Sequence, residues 1–143
     1  MDVQHACHCS CRIRYHMVFV LKYRKNLISD EIFEFLKEIC KGIEQRYFIK
    51  FDALGSDGDH LHLVIEAAPR YAPSNVMQIC KSILAKQVFK QFPEVREELW
   101  NGEFWSDGGH IDTVGDGRGL DAVRQYVEKQ GKKSDQLTLY SFV

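Results

Sequence analysis

Every odd-numbered residue along 13–21 is apolar, and the polar residues Arg14 and His16 separate the first three of them. Successive side chains of a β-strand point to opposite faces, so this alternation predicts a first strand with one buried face. Residues 48–54 and 60–68 are two further short stretches rich in apolar residues. The glycines and aspartate of residues 55–58 between them are typical of a tight turn, which predicts a hairpin of the second and third strands.

Apolar residues recur every three or four positions in two other stretches, which predicts helices. Ser29 is a typical N-cap, and the acidic residues after it suit the positive end of a helix dipole, so the first helix is predicted over about 30–46. The second helix begins at Pro73 and ends before Pro93, because proline cannot continue a helix. Residues 109–114 follow as a plausible fourth strand.

The predicted order of strand, helix, strand, strand, helix, strand is typical of the ferredoxin-like and RRM-like α+β folds. Such a fold has a four-stranded antiparallel sheet with both helices on one face. Residues 115–119 contain three glycines and are predicted to form a hinge before a last helix over about 120–131. We therefore predict a single domain over 1–143, with its core over about 7–114.

Composition adds two constraints on function. The chain has 143 residues, of which 45% are apolar and 27% charged, as in soluble globular domains. We find no apolar run near the roughly 20 residues of a membrane span and no signal-peptide layout, so a cytoplasmic location and no membrane partner are expected. The formal net charge is −1, so nucleic-acid binding would have to depend on local basic patches.

The third predicted strand begins His60-Leu61-His62, directly after Asp59. Alternation places His60 and His62 side by side on one face, while Leu61 points to the other. Histidine is the commonest metal ligand, so this face could offer two imidazoles to one ion. The spacing alone is equally compatible with two half-exposed histidines that bind nothing.

Three of the five cysteines, Cys7, Cys9 and Cys11, lie close together near the start of the chain. Zinc sites usually have two to four residues between paired cysteines, and here there is one. The three cysteines also continue the alternation of the first strand. This pattern favours small buried strand residues over zinc ligands.

The last predicted helix carries a second candidate pair. Tyr126 and Gln130 are four residues apart, so they present a phenol and an amide together on one helix face. Taken alone, Tyr126 is more simply explained as a packing residue than as a nucleophile.

Together, these features resemble the HUH endonucleases and, more closely, the small single-tyrosine transposases of hairpin-ended insertion sequences. The similarity extends over nearly the whole chain. It is carried by five segments: Tyr15–Lys25, Asp59–Leu63, Phe104–Ser106, Thr113–Gly115 and Tyr126–Gln130. The turn at 55–59 departs from the Met-Pro-Asp run that relatives often have, and the cysteine-rich start is unusual.

The resemblance implies a metal-assisted transposase that cleaves and rejoins single-stranded DNA at hairpin-flanked ends. Tyr126 would be the nucleophile, forming a 5′-phosphotyrosine, and His60, His62 and Gln130 would bind one divalent ion. Two imidazoles and an amide favour Mn²⁺, with cellular Mg²⁺ as the alternative. A homodimer is implied in which Tyr126 and Gln130 of one subunit meet the histidines of the other. Candidate DNA-binding residues are those of local basic patches: Arg12, Arg14, Lys22, Arg24, Lys25, Lys81 and Lys86.

Three alternatives come from other classes. A histidine-triad nucleotide hydrolase would have a further histidine in the strand, where this chain has Val64 and Glu66. An RRM-like nucleic-acid binder without catalysis would need stacking aromatic residues where His60 and His62 stand. A domesticated, repeat-associated HUH nuclease acting on palindromic repeats has the same motifs and stays open.

Overall fold

The computed structural model describes Val3 and residues 10–115 and 118–129. The strands and helices, in chain order, are β1 (Arg14–Val20), α1 (Asp30–Arg46), β2 (Ile49–Ser56), β3 (His60–Ala67), α2 (Pro73–Gln91), α3 (Pro93–Glu98), β4 (His110–Val114) and α4 (Arg118–Glu128). A 3-10 turn over Lys22–Arg24 follows β1.

The strands form one antiparallel sheet in the order β2-β3-β1-β4, so β1 and β3 are the two central strands. In the register of the central pair, Val20 lies opposite His60 and His16 lies opposite Val64. The α+β, ferredoxin-like sheet predicted from the order of elements is confirmed.

Alternation along the central strands gives the sheet two different faces. Met17 and Phe19 of β1 and Leu61 and Leu63 of β3 are fully buried in a core cluster that they share with α1 and α2. We call this side of the sheet the helix face. The even-numbered residues of both strands point to the other side, because successive side chains of a strand alternate.

The first helix has the predicted bounds, and its start has the predicted cap. Ser29 Oγ accepts a hydrogen bond from the backbone N–H of Ile32 at 3.2 Å. Pro93 ends α2 as expected, but it also opens α3, which was not predicted. Proline is well suited to the first turn of a helix, where its missing N–H would have no partner.

The opposite side of the sheet is covered by α4. Leu120, Val123 and Val127 of this helix pack against Val64 of β3 and Ala53 of β2. The helix begins at Arg118, so it includes the last two residues of the predicted hinge, and residues 116 and 117 lie outside the described ranges.

The alternation of the first strand extends less far than predicted. Regular pairing begins at Arg14, and Cys11 precedes it with its thiol donating to the carbonyl of Val3. Cys7 and Cys9 lie outside the described residues. None of the helices in the described ranges is long and apolar enough to cross a membrane.

Candidate active site

The side of the sheet away from α1 and α2 collects every histidine of the described residues. His16 is on β1, His60 and His62 are on β3, and His110 is on β4. Cross-strand register puts them on one surface, since His110 pairs with Val18 and His62 also pairs with Val18 from the other side. We call this side the histidine face.

His60 stands at the edge of this face, held on both sides by polar partners. Its Nδ1 lies 3.0 Å from an oxygen of Asp57 and also contacts Asp59. Arg24 Nη2 lies 3.2 Å from its Nε2. A guanidinium can only donate, so the hydrogen-bond pattern places the proton on Nδ1 and leaves a lone pair on Nε2.

His62 is the central residue of the face, and it is buried. Its exposed fraction is 4%, whereas the sequence pattern predicted a half-exposed ring, because α4 covers it. The ring stacks on His60 with centroids 6.0 Å apart. Burial, followed by the nearby His16 and His60, lowers the pKa of His62 to about 3. At neutral pH His62 is therefore uncharged and keeps a lone pair.

Tyr126 reaches His62 from above the sheet. Its ring meets the His62 ring edge-on, with centroids 6.0 Å apart, and it meets His16 at 6.2 Å. The tyrosine is 7% exposed. The structure thus brings the predicted nucleophile and the predicted histidines together within one chain. The composite arrangement across a dimer stays a prediction.

His16 completes this cluster, and the sequence reasoning assigned it no role. Its ring stacks on His62 at 5.7 Å, and its Nε2 is buried without a hydrogen-bond partner among the described residues. Burial, with a smaller contribution from His110, lowers its pKa to about 4. The signal that could have found it is its even-numbered position in the first strand, on the same face as the His60–His62 pair.

The described residues fit a divalent ion at this place in two respects. The lone pair of His60 Nε2 becomes available once Arg24 moves aside, and buried His62 Nδ1 has no hydrogen-bond partner within the described part of the chain. Asp57, Asp59 and His60 also form a group whose ligand atoms lie within 4.8 Å of one another. Gln130, the third predicted ligand, lies outside the described residues.

A buried ion-pair network ties α4 to the sheet. Asp52 of β2 has a side chain that is 4% exposed, and it contacts Arg14 Nε at 3.1 Å and Arg124 Nη2 at 3.4 Å. Arg14, one of the predicted DNA-binding residues, is thus only 9% exposed and engaged in this network. Its place indicates a structural contribution to the docking of α4.

The other predicted DNA-binding residues fall into two groups. Arg24, next to His60, is close to Lys22 and Lys25 at the end of β1, and Arg12 is exposed just before that strand. Lys81 and Lys86 lie instead on α2 and line a groove of about 470 Å³ on the helical side. Lys81 donates hydrogen bonds to the carbonyls of Ser106 and Gly108, and burial lowers its pKa.

A stacked histidine pair on a central strand, faced by a helix tyrosine, is the arrangement that defines the class of single-tyrosine HUH proteins. The family of IS200-like transposases matches residues 9–130 of this chain. The chain therefore belongs to the IS200-like, single-tyrosine transposase family.

Individual relatives agree with this assignment. The chain is 27% identical over 122 residues to the ISDra2 transposase TnpA of Deinococcus radiodurans, covering 85% of this chain and 86% of that one. It is 25% identical over 141 residues to the transposase of insertion sequence IS200 from Salmonella typhimurium, covering 96% and 91%.

Two solved structures share the fold. A candidate transposase of D. radiodurans R1 superposes with a TM-score of 0.68 at 25% identity, covering 87% of this chain and 95% of that one. A REP-associated tyrosine transposase bound to a REP hairpin superposes with a TM-score of 0.57. Its identity is 9%, with 80% of this chain and 64% of that chain covered, so this likeness concerns the fold alone.

Proposed function

We propose that this protein cleaves and rejoins single-stranded DNA at hairpin-flanked ends through a covalent bond to Tyr126. The observation that carries the proposal is the edge-on contact between Tyr126 and His62 on the histidine face. A packing tyrosine needs no such neighbours. A nucleophilic tyrosine needs them, because a phenol with an ordinary pKa of about 10 reacts poorly at neutral pH without nearby groups that stabilise charge.

The proposed reaction is an exchange of phosphoester bonds. The Tyr126 oxygen loses its proton to solvent and attacks the scissile phosphorus, forming a 5′-phosphotyrosine. The bond from phosphorus to the 3′ oxygen breaks, and that oxygen takes up a proton as a free 3′-OH. Rejoining is the reverse reaction with a 3′-OH as nucleophile, so no nucleotide cofactor is consumed.

His60, His62 and Gln130 are the residues that we propose to hold a divalent ion. When bound, such an ion polarises the phosphate oxygen and stabilises the charge that develops on the leaving 3′ oxygen. The uncharged state of His62 suits it to ligation, because a ligating imidazole must be deprotonated. His60 is oriented by Asp57 and Asp59, as ligating histidines commonly are by carboxylates.

Access to this site requires α4 to move. Tyr126 and His62 are 7% and 4% exposed, so a phosphodiester cannot reach both while the helix lies on its own sheet. We propose that α4 lifts from the sheet when DNA enters the site, and that in a homodimer it docks on the sheet of a second copy. The same apolar stripe of Leu120, Val123 and Val127 would meet the same surface of the partner subunit.

The substrate proposal rests on charge and on relatives. Arg24 at His60 and exposed Arg12 provide local positive charge in a chain of net charge −1. The structural neighbour that is bound to a REP hairpin supports a hairpin as ligand. We favour an insertion-sequence transposase in the cytoplasm, acting on the nucleoid, because the curated relatives are insertion-sequence transposases. A domesticated nuclease of repeated palindromes is the second candidate.

The proposal is tested by trapping the covalent intermediate. The protein is incubated with end-labelled single-stranded hairpin DNAs and Mn²⁺, and a protein–DNA adduct is sought on a denaturing gel. Tyr126→Phe should give no adduct, whereas Tyr47→Phe, a matched change at a tyrosine packed beside Arg46, should leave it intact. An adduct that persists in Tyr126→Phe would refute Tyr126 as the nucleophile.

The exchange of α4 is tested by complementation between two inactive proteins. Tyr126→Phe keeps its histidines, and His62→Ala keeps its tyrosine. After subunit exchange, each mixed dimer should regain one of its two sites if helix and histidines come from different subunits. No recovered activity, with exchange shown by mass spectrometry, would mean that Tyr126 serves its own chain.

A further inference from the structure

Two large aromatic side chains are strongly exposed. Tyr23 is 62% exposed and Trp100 is 68% exposed, and no other large hydrophobic residue of the described ranges is comparably open. Their ring centroids are 5.2 Å apart at an interplanar angle of 81°. They come from separate parts of the chain, the turn after β1 and the loop after α3, so tertiary structure brings them together.

The backbone beneath both rings is held in an uncommon conformation. Tyr23 and Trp100 have φ values of 61° and 52°, in the left-handed region that favours glycine, and each is followed by a second such residue. Non-glycine residues keep this conformation only where the surroundings impose it, and such sites cluster where proteins bind ligands. Here the Lys22 N–H donates to the Phe104 carbonyl at 2.9 Å, which ties the two loops together.

Cations lie against both rings. Lys25 Nζ is 4.5 Å from the centroid of Trp100, and Lys22 Nζ is 5.9 Å from that of Tyr23. Each lysine also faces an exposed glutamate, Glu98 at 3.5 Å and Glu103 at 3.7 Å. Exposed ion pairs are weak, so a DNA phosphate can replace these carboxylates.

The aromatic pair lies beside the candidate active site. Arg24 directly follows Tyr23, and its side chain contacts His60 Nε2 at 3.2 Å and Asp59 at 3.6 Å. His60 in turn lies opposite the last residue of β1. A strand of DNA that crosses the histidine face and continues beyond the end of β1 therefore meets Tyr23 and Trp100 next.

We propose that Tyr23 and Trp100 form a stacking platform for unpaired bases of single-stranded DNA beside the cleavage site. The proposal rests on the proposed function only in naming the same DNA as ligand. Every base has a π-face, so stacking on aromatic rings with flanking cations binds single strands with little sequence preference. Bases of a perfect duplex are already stacked and paired, so the platform selects unpaired nucleotides.

Tryptophan fluorescence reports on the platform directly. The protein has two tryptophans, and Trp105 is 5% exposed with its indole N–H donating to the Lys81 carbonyl. Adding an oligothymidylate of about 16 nucleotides, without divalent metal, should quench Trp100 and leave Trp105 as an internal reference. In Trp100→Leu the quenching should disappear while the Trp105 emission stays native. Quenching that persists in this variant would overturn the proposal.

Affinity measurements separate stacking from charge. Trp100→Leu should weaken binding of the same oligonucleotide about 5- to 160-fold, as for loss of one stacked base, without changing the salt dependence. Lys25→Ala should instead reduce the log–log salt slope by about 0.7. Trp100→Phe, which keeps a ring, should recover most of the affinity. Unchanged affinity in Trp100→Leu would refute the platform.

The result is independent of whether Tyr126 is the nucleophile. If the wild-type protein forms no adduct but Trp100 is quenched and needed for affinity, the platform stands and the proposed function fails. If the adduct forms and Trp100→Leu binds and reacts normally, the function stands and the platform fails. A loss of dimer mass in sedimentation with unchanged DNA affinity would assign the rings to a protein interface and overturn the proposal.

Discussion

The two faces of the one sheet are closed in different ways. Among the described residues, the helix face shares a core cluster of 23 buried residues with α1 and α2. Within the same described ranges, the histidine face is covered by α4, over a cluster of six buried residues and the Asp52 ion pairs. A large apolar interface stays closed, whereas a small one with polar neighbours can open at modest cost. We therefore expect the helix face to provide most of the stability and the histidine face to hold the proposed active site.

The largest expected effect is the loss of cleavage in His62→Ala. One of the two proposed imidazole ligands is removed, so we expect no adduct and Mn²⁺ binding at least about 100-fold weaker, since even indirect partners of a ligand cost 10–100-fold. Calorimetric titration measures the Mn²⁺ affinity, and the adduct assay measures cleavage. His110→Ala is the matched control. The His110 ring is on the same face but is hydrogen-bonded to Asp112, so this variant should bind Mn²⁺ normally. Wild-type affinity in His62→Ala would remove this residue from the metal site.

Neighbouring residues of β3 provide a direct test of the two faces. Leu63 points to the helix face and Val64 to the histidine face, and both are fully buried. Leu63→Ala should lower the free energy of unfolding in urea by about 3 kcal/mol. Val64→Ala should lower it by about 1.5 kcal/mol, for two lost methyl groups.

Hydrogen exchange shows where each of these two changes acts. Val64→Ala should reduce the protection of amides in α4 more than in α1, because it weakens the contact beneath α4. Equal loss of protection in both helices would show that the faces unfold as one unit.

An effect between those of Leu63→Ala and Val64→Ala is expected from Asp52→Asn, which neutralises the carboxylate between Arg14 and Arg124. We expect α4 to open more readily by about 2 kcal/mol, less than for fully buried pairs because Arg124 is one-third exposed. Hydrogen exchange of the α4 amides measures this free energy of opening. Glu34→Gln breaks an exposed pair with Lys37 and should change exchange by less than about 0.5 kcal/mol. If Asp52→Asn changed the exchange of the α4 amides as little as Glu34→Gln does, the ion-pair network would not hold α4 on the sheet.

The smallest expected effect belongs to His16→Phe. This change keeps an aromatic ring against His62 and removes a buried nitrogen that has no hydrogen-bond partner among the described residues. Stability in urea should be unchanged or higher by about 1 kcal/mol, because no buried polar atom is left unsatisfied. A loss of stability greater than about 1 kcal/mol in His16→Phe would show that His16 Nε2 has a hydrogen-bond partner in solution.

Much of the site was predictable because it follows from spacing within single elements. His60 and His62 share a face by strand alternation, and Leu61 and Leu63 share the opposite face for the same reason. Ser29 capped the predicted helix because an N-cap acts on its own first turn. The match to the IS200-like family confirms what the order of these segments indicated.

Other properties escaped prediction because they depend on residues far apart in the chain. The role of Arg14 as a partner of Asp52 joins positions 38 residues apart, and nothing local distinguishes it from a surface arginine. The stack of His16 on His62 and the pairing of Tyr23 with Trp100 likewise arise from register and loop contacts.

The sequence by itself determined the four strands, α1, α2 and the last helix to within a few residues, and which face His60, Leu61 and His62 take, because these depend on periods of two and 3.6 residues. It did not indicate α3. The tertiary structure alone decided that α4 covers the histidine face. It also decided that His62 and His16 are buried with pKa values of about 3 and 4, since desolvation depends on what packs above a ring. The residues of the proposed site could therefore be predicted from local spacing. Their burial under α4, which limits access to them, depends on tertiary packing.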